Sequence, residues 1–133
     1  MTAEGGYNAS MQDFKHLQFW RRAHALAIEL HKLARSFSRR GHGNLKVQLT
    51  KAAQSISTNI AEGCGAATKK EFARFLDVSI KSANETEHHL LSARDFGLMS
   101  PSIWGKHTAE TIEIRKMVFS YRQRVIASDR IGD

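Results

Sequence analysis

Ser55-Ile-Ser-Thr-Asn-Ile-Ala-Glu-Gly-Cys-Gly-Ala-Ala-Thr-Lys-Lys-Glu-Phe-Ala-Arg-Phe-Leu76 ends one helix, turns through two glycines and opens another. Gly63 and Gly65 suit the positive φ required where a helix stops and the chain reverses. Thr68 and Glu71 hold the S/T-x-x-E spacing of a capping box, which satisfies backbone N–H groups at the start of the next helix. The stretch reads as helix, turn, helix, and the flanking sequence reads as more helix packed around this hinge.

Upstream, Asn44 is placed to cap a second helix from about Leu45 to Glu62, with Leu45, Leu49, Ala52, Ile56 and Ile60 on its buried side. Ala53, Ser55 and Ser57 are small enough for close approach to a neighbour, and Asn59 can bond a backbone group. Before it, Asp13 is placed to cap a first helix in which Phe19, Ala23, Leu26, Leu30, Leu33 and Phe37 recur at steps of three and four. Trp20, Ala27 and Ala34 widen that stripe, and Arg39-Arg40-Gly41-His42-Gly43 ends the helix. Downstream, a third helix from about Lys69 to Phe96 places Ser79, Ala83 and Thr86 as a close-contact seam against the small middle of the second. Gly97 ends it, and Pro101 blocks its resumption.

The fourth helix, from about Ser102 to Ala127, carries two apolar faces. Ile114, Met117, Val118, Tyr121 and Val125 form one, while Ile112, Phe119 and Ile126 repeat every seven residues on nearly the opposite side. A monomeric bundle buries one side of each helix, so the second stripe predicts a subunit interface of a homo-oligomer. The expected organisation is all-α: an antiparallel up-down four-helix bundle over residues 13–127, a flexible N-terminal arm over 1–12 and a frayed tail over 128–133.

One proline and abundant Ala, Leu, Lys, Arg and Glu in 133 residues favour a single helical domain. Twenty Lys and Arg against thirteen Asp and Glu give a net charge of +7 and a pI near 9.9, favouring acidic partners such as nucleic acid. The single Cys64 permits no internal disulfide, and no apolar run is long enough to span a membrane, so a cytoplasmic protein without membrane association is expected.

Asn59-Ile-Ala-Glu-Gly63, with Lys70-Glu-Phe72 and Arg74-Phe-Leu76, resembles the four-helix-bundle proteins encoded in 23S rRNA intervening sequences. The likeness extends upstream to Phe14, Leu17, Trp20 and Ala23, and downstream through Glu85, Glu87, Leu90, Leu91, Gly97 and Leu98. It implies an antiparallel bundle assembled as a ring-like homopentamer, without established enzymatic activity. Relatives include the accessory protein of diversity-generating retroelements, thought to bind nucleic acid and a reverse transcriptase. The chain departs from the family pattern at Ser57, where proline is common, and at Ala66 and Ala67, where a basic residue often follows the glycines.

Chemistry-bearing motifs are sparse. Glu85-Thr-Glu-His88 has the E-x-x-H spacing of di-iron bundles, but no second copy exists to complete a carboxylate-bridged site, so no metal or other cofactor is expected. Glu85 and Glu87 read as partners of nearby bases such as Lys81 or Arg94, or of a neighbouring subunit. His24 and His31 read as packing on the flank of Trp20, His88-His89 as a pH-sensing pair only if at an interface, and Cys64 as a turn residue. Phosphate loops, dinucleotide fingerprints and nucleophile elbows are absent, so no catalytic residue is assigned.

The basic residues remain. Lys32, Arg35, Arg39 and Arg40 cluster towards the end of the first helix, and Arg115, Lys116, Arg122 and Arg124 lie along the fourth. These eight are the candidate nucleic-acid-binding residues. In a ring of five, a charge of +7 becomes about +35, and phosphate contact follows with strong salt dependence and little sequence preference. Trp20 and the other core-like aromatics are set aside as stacking residues, with Trp104 the exception. The expected function is thus a non-catalytic homo-oligomeric bundle binding RNA or DNA, as an adaptor for another nucleic-acid protein. The alternative is a structural or protein-interaction scaffold whose charge serves only solubility.

Overall fold

The computed structural model describes residues 12–130 as four helices: α1 (Gln18–Leu33), α2 (Gly43–Cys64), α3 (Lys69–Asp95) and α4 (Pro101–Arg130). Single 3₁₀ turns at Phe14–His16 and Ala34–Phe37 flank α1, and among the described residues there is no strand. Each helix packs antiparallel on the next, and α4 returns beside α1 to complete a four-helix bundle. No helix of the described residues is long and apolar enough to cross a membrane.

The expected N-terminal arm lies outside the described residues except for Gln12, whose Oε1 accepts the Tyr121 hydroxyl at 2.6 Å. At the other end α4 passes Ala127 and runs to Arg130. Lys69 Nζ donates to Ser128 Oγ at 2.6 Å there, tying the last turn of α4 to the first turn of α3.

Helix ends follow local chemistry, with several departures from the sequence reading. Asp13 accepts from Lys15 N and caps the 3₁₀ turn; Leu17 precedes α1 without a side-chain cap. That backbone hydrogen bond also holds the Asp13 carboxyl below its usual pKa. The first apolar repeat reaches Phe37, but its last turn tightens to 3₁₀ and the backbone then reverses at Gly41, φ +84°, with His42 N bonded to Phe37 O. Because the turn closes there, α2 starts at Gly43 and Asn44 lies inside its first turn.

Gly63 and Gly65 both keep negative φ; among the described residues the positive-φ glycines are Gly41 and Gly97. Gly63 sits within α2, where an added Cβ would lie 2.7 Å from Phe72 Cδ1 and 3.1 Å from Phe75 Cβ. Its missing side chain serves close approach of α3. Thr68 Oγ1 accepts from Glu71 N at 3.0 Å, while Glu71 reaches back to Ala67 N rather than Thr68 N. Gly97, φ +75°, ends α3 as the sequence predicts. Pro101 opens α4 after Ser100, whose Oγ accepts from Ile103 N; a first helical position needs no N–H from proline.

Phe37, Phe72, Leu30, Leu49, Ile56 and Ile114 are among the fully buried side chains of a continuous core. The small-residue seam joins α2 to α3: Ser79 Oγ donates to Ile56 O at 2.9 Å, and the Ser55 and Ser82 hydroxyls lie 2.8 Å apart. Bonding satisfies those hydroxyls at the seam, where unpaired polar groups would cost stability.

Candidate nucleic-acid interface

Positive charge is concentrated in one part of the chain. Between Glu29 and Glu62 no Asp or Glu occurs, while Lys32, Arg35, Arg39, Arg40, Lys46 and Lys51 all fall there. The other fourteen basic residues are nearly matched by the thirteen acids. Folding turns this linear segregation into a surface, because residues 30–61 are the end of α1, the connecting turn and nearly all of α2.

Along that surface runs a groove of about 720 Å³ between α1 and α2. One wall carries Trp20, His24, Ile28, His31 and Lys32 of α1 and Arg35 of the following 3₁₀ turn; the α2 wall carries Thr50, Gln54 and Thr58, with Glu62 at the far end. The His24 ring lies parallel on the Trp20 indole, 4.9 Å between centroids and 9° between planes. Phe14 meets the indole edge-on at 4.8 Å. Lys32 has a single acidic neighbour, Glu29 at 3.8 Å with both side chains exposed, a pairing of little energetic weight. Arg35 and Arg39 are exposed.

The structure separates the eight sequence-predicted cations. Lys32 and Arg35 share the groove wall, and Arg39 follows on the exposed turn beyond it. Arg40 caps α3: its guanidinium donates to Gly97 O at 2.9 Å and to Leu98 O at 3.3 Å. On α4, Arg122 donates through two nitrogens to both oxygens of Asp77 on α3. Arg115 donates to Asn84 Oδ1 at 2.8 Å and pairs with Glu87. These two arginines hold α4 to α3, and their charge is largely matched. Lys116 and Arg124 stay exposed, Arg124 lying over the Tyr121 ring.

The groove aromatics reverse two expectations. Trp20 is half-buried yet lines the groove, and His24 and His31 are exposed rather than packed. Trp104 faces inward against the core, with the Arg94 guanidinium 4.5 Å from its ring centre. The repeat His24, Ile28, His31, Arg35, at helical steps of three and four, carried the missed signal, as did the acid-free run from 30 to 61.

The other candidates resolve into structural contacts. Glu85 lies 3.4 Å from His89 rather than pairing with Lys81, and Glu87 pairs with Arg115 rather than Arg94. Among the described residues no cluster of three His, Cys, Asp or Glu is arranged for a metal ion. Cys64 is buried, and burial, with the Asp13 charge, pushes its thiol up to about 11. At neutral pH that sulfur stays protonated. His107 is buried on α4, and its pKa is lowered by that burial and by Lys106, against the pull of Glu29 and Glu110. Glu110 itself is held by two hydrogen bonds from Arg22 of α1, at 2.6 and 2.9 Å, which raise the arginine's pKa further.

Of the second apolar stripe, Phe119 is 52% exposed, while Ile112 and Ile126 are half-buried and Ile126 also packs on the core. Arg115 and Arg122 interleave with these residues at steps of three and four, which places the stripe beside α3, with the phenyl ring of Phe119 turned outward.

A family model described as 23S rRNA-intervening sequence protein matches residues 15–120. Among solved structures, the chain is similar to a protein of unknown function from the S23 ribosomal protein family of Bacteroides thetaiotaomicron. The two share 21% identity at a TM-score of 0.74 over 78% of this chain and 97% of that one. A likeness at that identity concerns the fold. Among curated proteins none matches significantly.

Proposed function

The chain belongs to the 23S rRNA-intervening sequence protein family, and from that premise we propose that it is a cytoplasmic, non-catalytic, homo-oligomeric bundle that binds RNA or DNA through its α1–α2 face. The observation that carries this reading is the acid-free stretch from 30 to 61, whose six Lys and Arg account for nearly all of the net +7. Such a face gathers condensed phosphate charge, its six cations outnumbering the two flanking carboxylates, Glu29 and Glu62. Lys32, Arg35 and Arg39 are the phosphate-contacting residues, Thr50, Gln54 and Thr58 supply neutral hydrogen-bonding groups, and the contacts read backbone more than sequence.

Phe119, between Ile112 and Ile126, supports a subunit interface on the other side of the molecule from the groove. Self-association through α4 leaves the basic faces outward and repeats them by symmetry, in a homopentamer if the family's assembly holds. Repetition raises apparent affinity for a long polyanion because each further contact is intramolecular. A protein that holds nucleic acid without acting on it serves as an adaptor for one that does.

The test is a titration of protein freed of co-purified nucleic acid against labelled RNA, single-stranded DNA and duplex DNA at low and physiological salt. Binding that persists at physiological salt and weakens in a Lys32→Ala/Arg35→Ala variant supports the reading. Binding absent at physiological salt, or equal in that variant, removes it in favour of a protein-interaction scaffold.

A further inference from the structure

The groove contains more than charge. A purely electrostatic site needs no aromatic rings, yet Trp20 and His24 stack at one end with Phe14 edge-on to the indole, and the cations lie at the other. Trp20 covers one face of the His24 imidazole, so the exposure of His24 belongs to its other face and edge. From Trp20 to Lys32 the rise along α1 is roughly 18 Å, a span of a few nucleotides. The volume of about 720 Å³ lies in the range that encloses a small organic ligand.

We propose that this groove takes a single-stranded nucleic acid, with one unpaired base stacked on the open face of His24 as the next layer beyond Trp20. The phosphates then lead towards Lys32 and Arg35. This rests on the nucleic-acid reading above and narrows it to unpaired strands. A duplex keeps its base faces inside the helix and offers only backbone and groove edges, leaving the aromatic end of the groove unused. An unpaired strand presents π-faces and phosphates together, matching the rings at one end and the cations at the other. An acidic protein segment would match the cations alone.

A Trp104→Phe variant leaves Trp20 as the sole tryptophan. It is titrated with short single-stranded RNA, single-stranded DNA, an abasic strand of equal length and a duplex. Saturable quenching of Trp20 emission by one or both base-bearing strands is expected, with the abasic strand bound about tenfold more weakly, within the range for one stacked base. His24→Ala, at an exposed position, removes that difference, lowering the base-bearing strand to the affinity of the abasic one. Equal binding of abasic and base-bearing strands without quenching would overturn the stacking proposal and leave the nucleic-acid reading intact. No binding by any strand would overturn both. Trp20 emission that follows protein dilution instead of oligonucleotide would give the groove to a second copy of the chain.

Discussion

Replacing Gly63 with alanine sets two effects of opposite sign against each other. Within α2 the methyl group improves helix propensity, a gain of roughly 0.5–1 kcal/mol. The same methyl meets Phe72 Cδ1 at 2.7 Å, Phe72 Cε1 at 3.0 Å and Phe75 Cβ at 3.1 Å. Phe72 is fully buried and lies 6.0 Å, edge to face, from Tyr121, so its ring has little room to swing. Overpacking of this kind costs about 1–3 kcal/mol. The net expectation is a loss of about 1–2 kcal/mol, several degrees in Tm for a domain of this size. Urea unfolding of Gly63→Ala, Phe72→Leu and the double variant measures it, and the double variant should lose about 1 kcal/mol less than the sum of the singles, because leucine carries no ring edge into the methyl. A Gly63→Ala protein more stable than wild type, with additive behaviour towards Phe72, would refute the steric account and leave helix propensity as the dominant effect.

Three other outcomes are expected. If Phe119 lies in a subunit interface, Phe119→Ser should give a smaller, still helical species in sedimentation, with lower and less concentration-dependent stability than wild type; wild-type protein that sediments as a monomer at micromolar concentration contradicts this. With its pKa raised from 9.0 to about 11, Cys64 should hold roughly 100-fold less thiolate near pH 8 than in denaturant. Iodoacetamide should therefore modify it slowly until the protein unfolds, and equal rates in both states would contradict its burial. His107 resists protonation in the fold, so as pH drops through its ordinary value of 6.5 the unfolded chain binds more protons and stability is progressively lost. His107→Asn should flatten that acid-side decline; an unchanged slope would assign it to other groups.

Much of the fold was legible because helix periodicity and end signals act locally. The three-four repeats placed Leu30, Ile56, Leu76 and Ile114 inside, and the Ser79–Thr86 seam follows from residue size alone. Gly63 was misread because glycine serves two purposes: conformational freedom is a local property, whereas room for Phe72 depends on a partner helix. For the same reason Arg115 and Arg122 passed as free cations. Their partners Glu87 and Asp77 lie about thirty and forty-five residues away along the chain, beyond the reach of any local pattern. Trp20 and His24 were legible as a flank of α1, but whether α2 would cover that flank or leave a groove is set by the packing of two helices. The acid-free run from 30 to 61 was visible throughout as a count of charges.

The central claim is that phosphates contact the α1–α2 face and not α4. Its most direct test is the slope of log K against log salt for a single strand, measured for wild type, for Lys32→Ala/Arg35→Ala/Arg39→Ala and for Lys116→Ala/Arg124→Ala. All five residues are exposed, so neither variant should disturb the bundle. At about 0.7 per neutralised phosphate, the slope should shrink by roughly 2 in the triple variant. It should hold its wild-type value in the α4 variant. A slope unchanged by the first set and reduced by the second would place the strand on α4 and contradict the account.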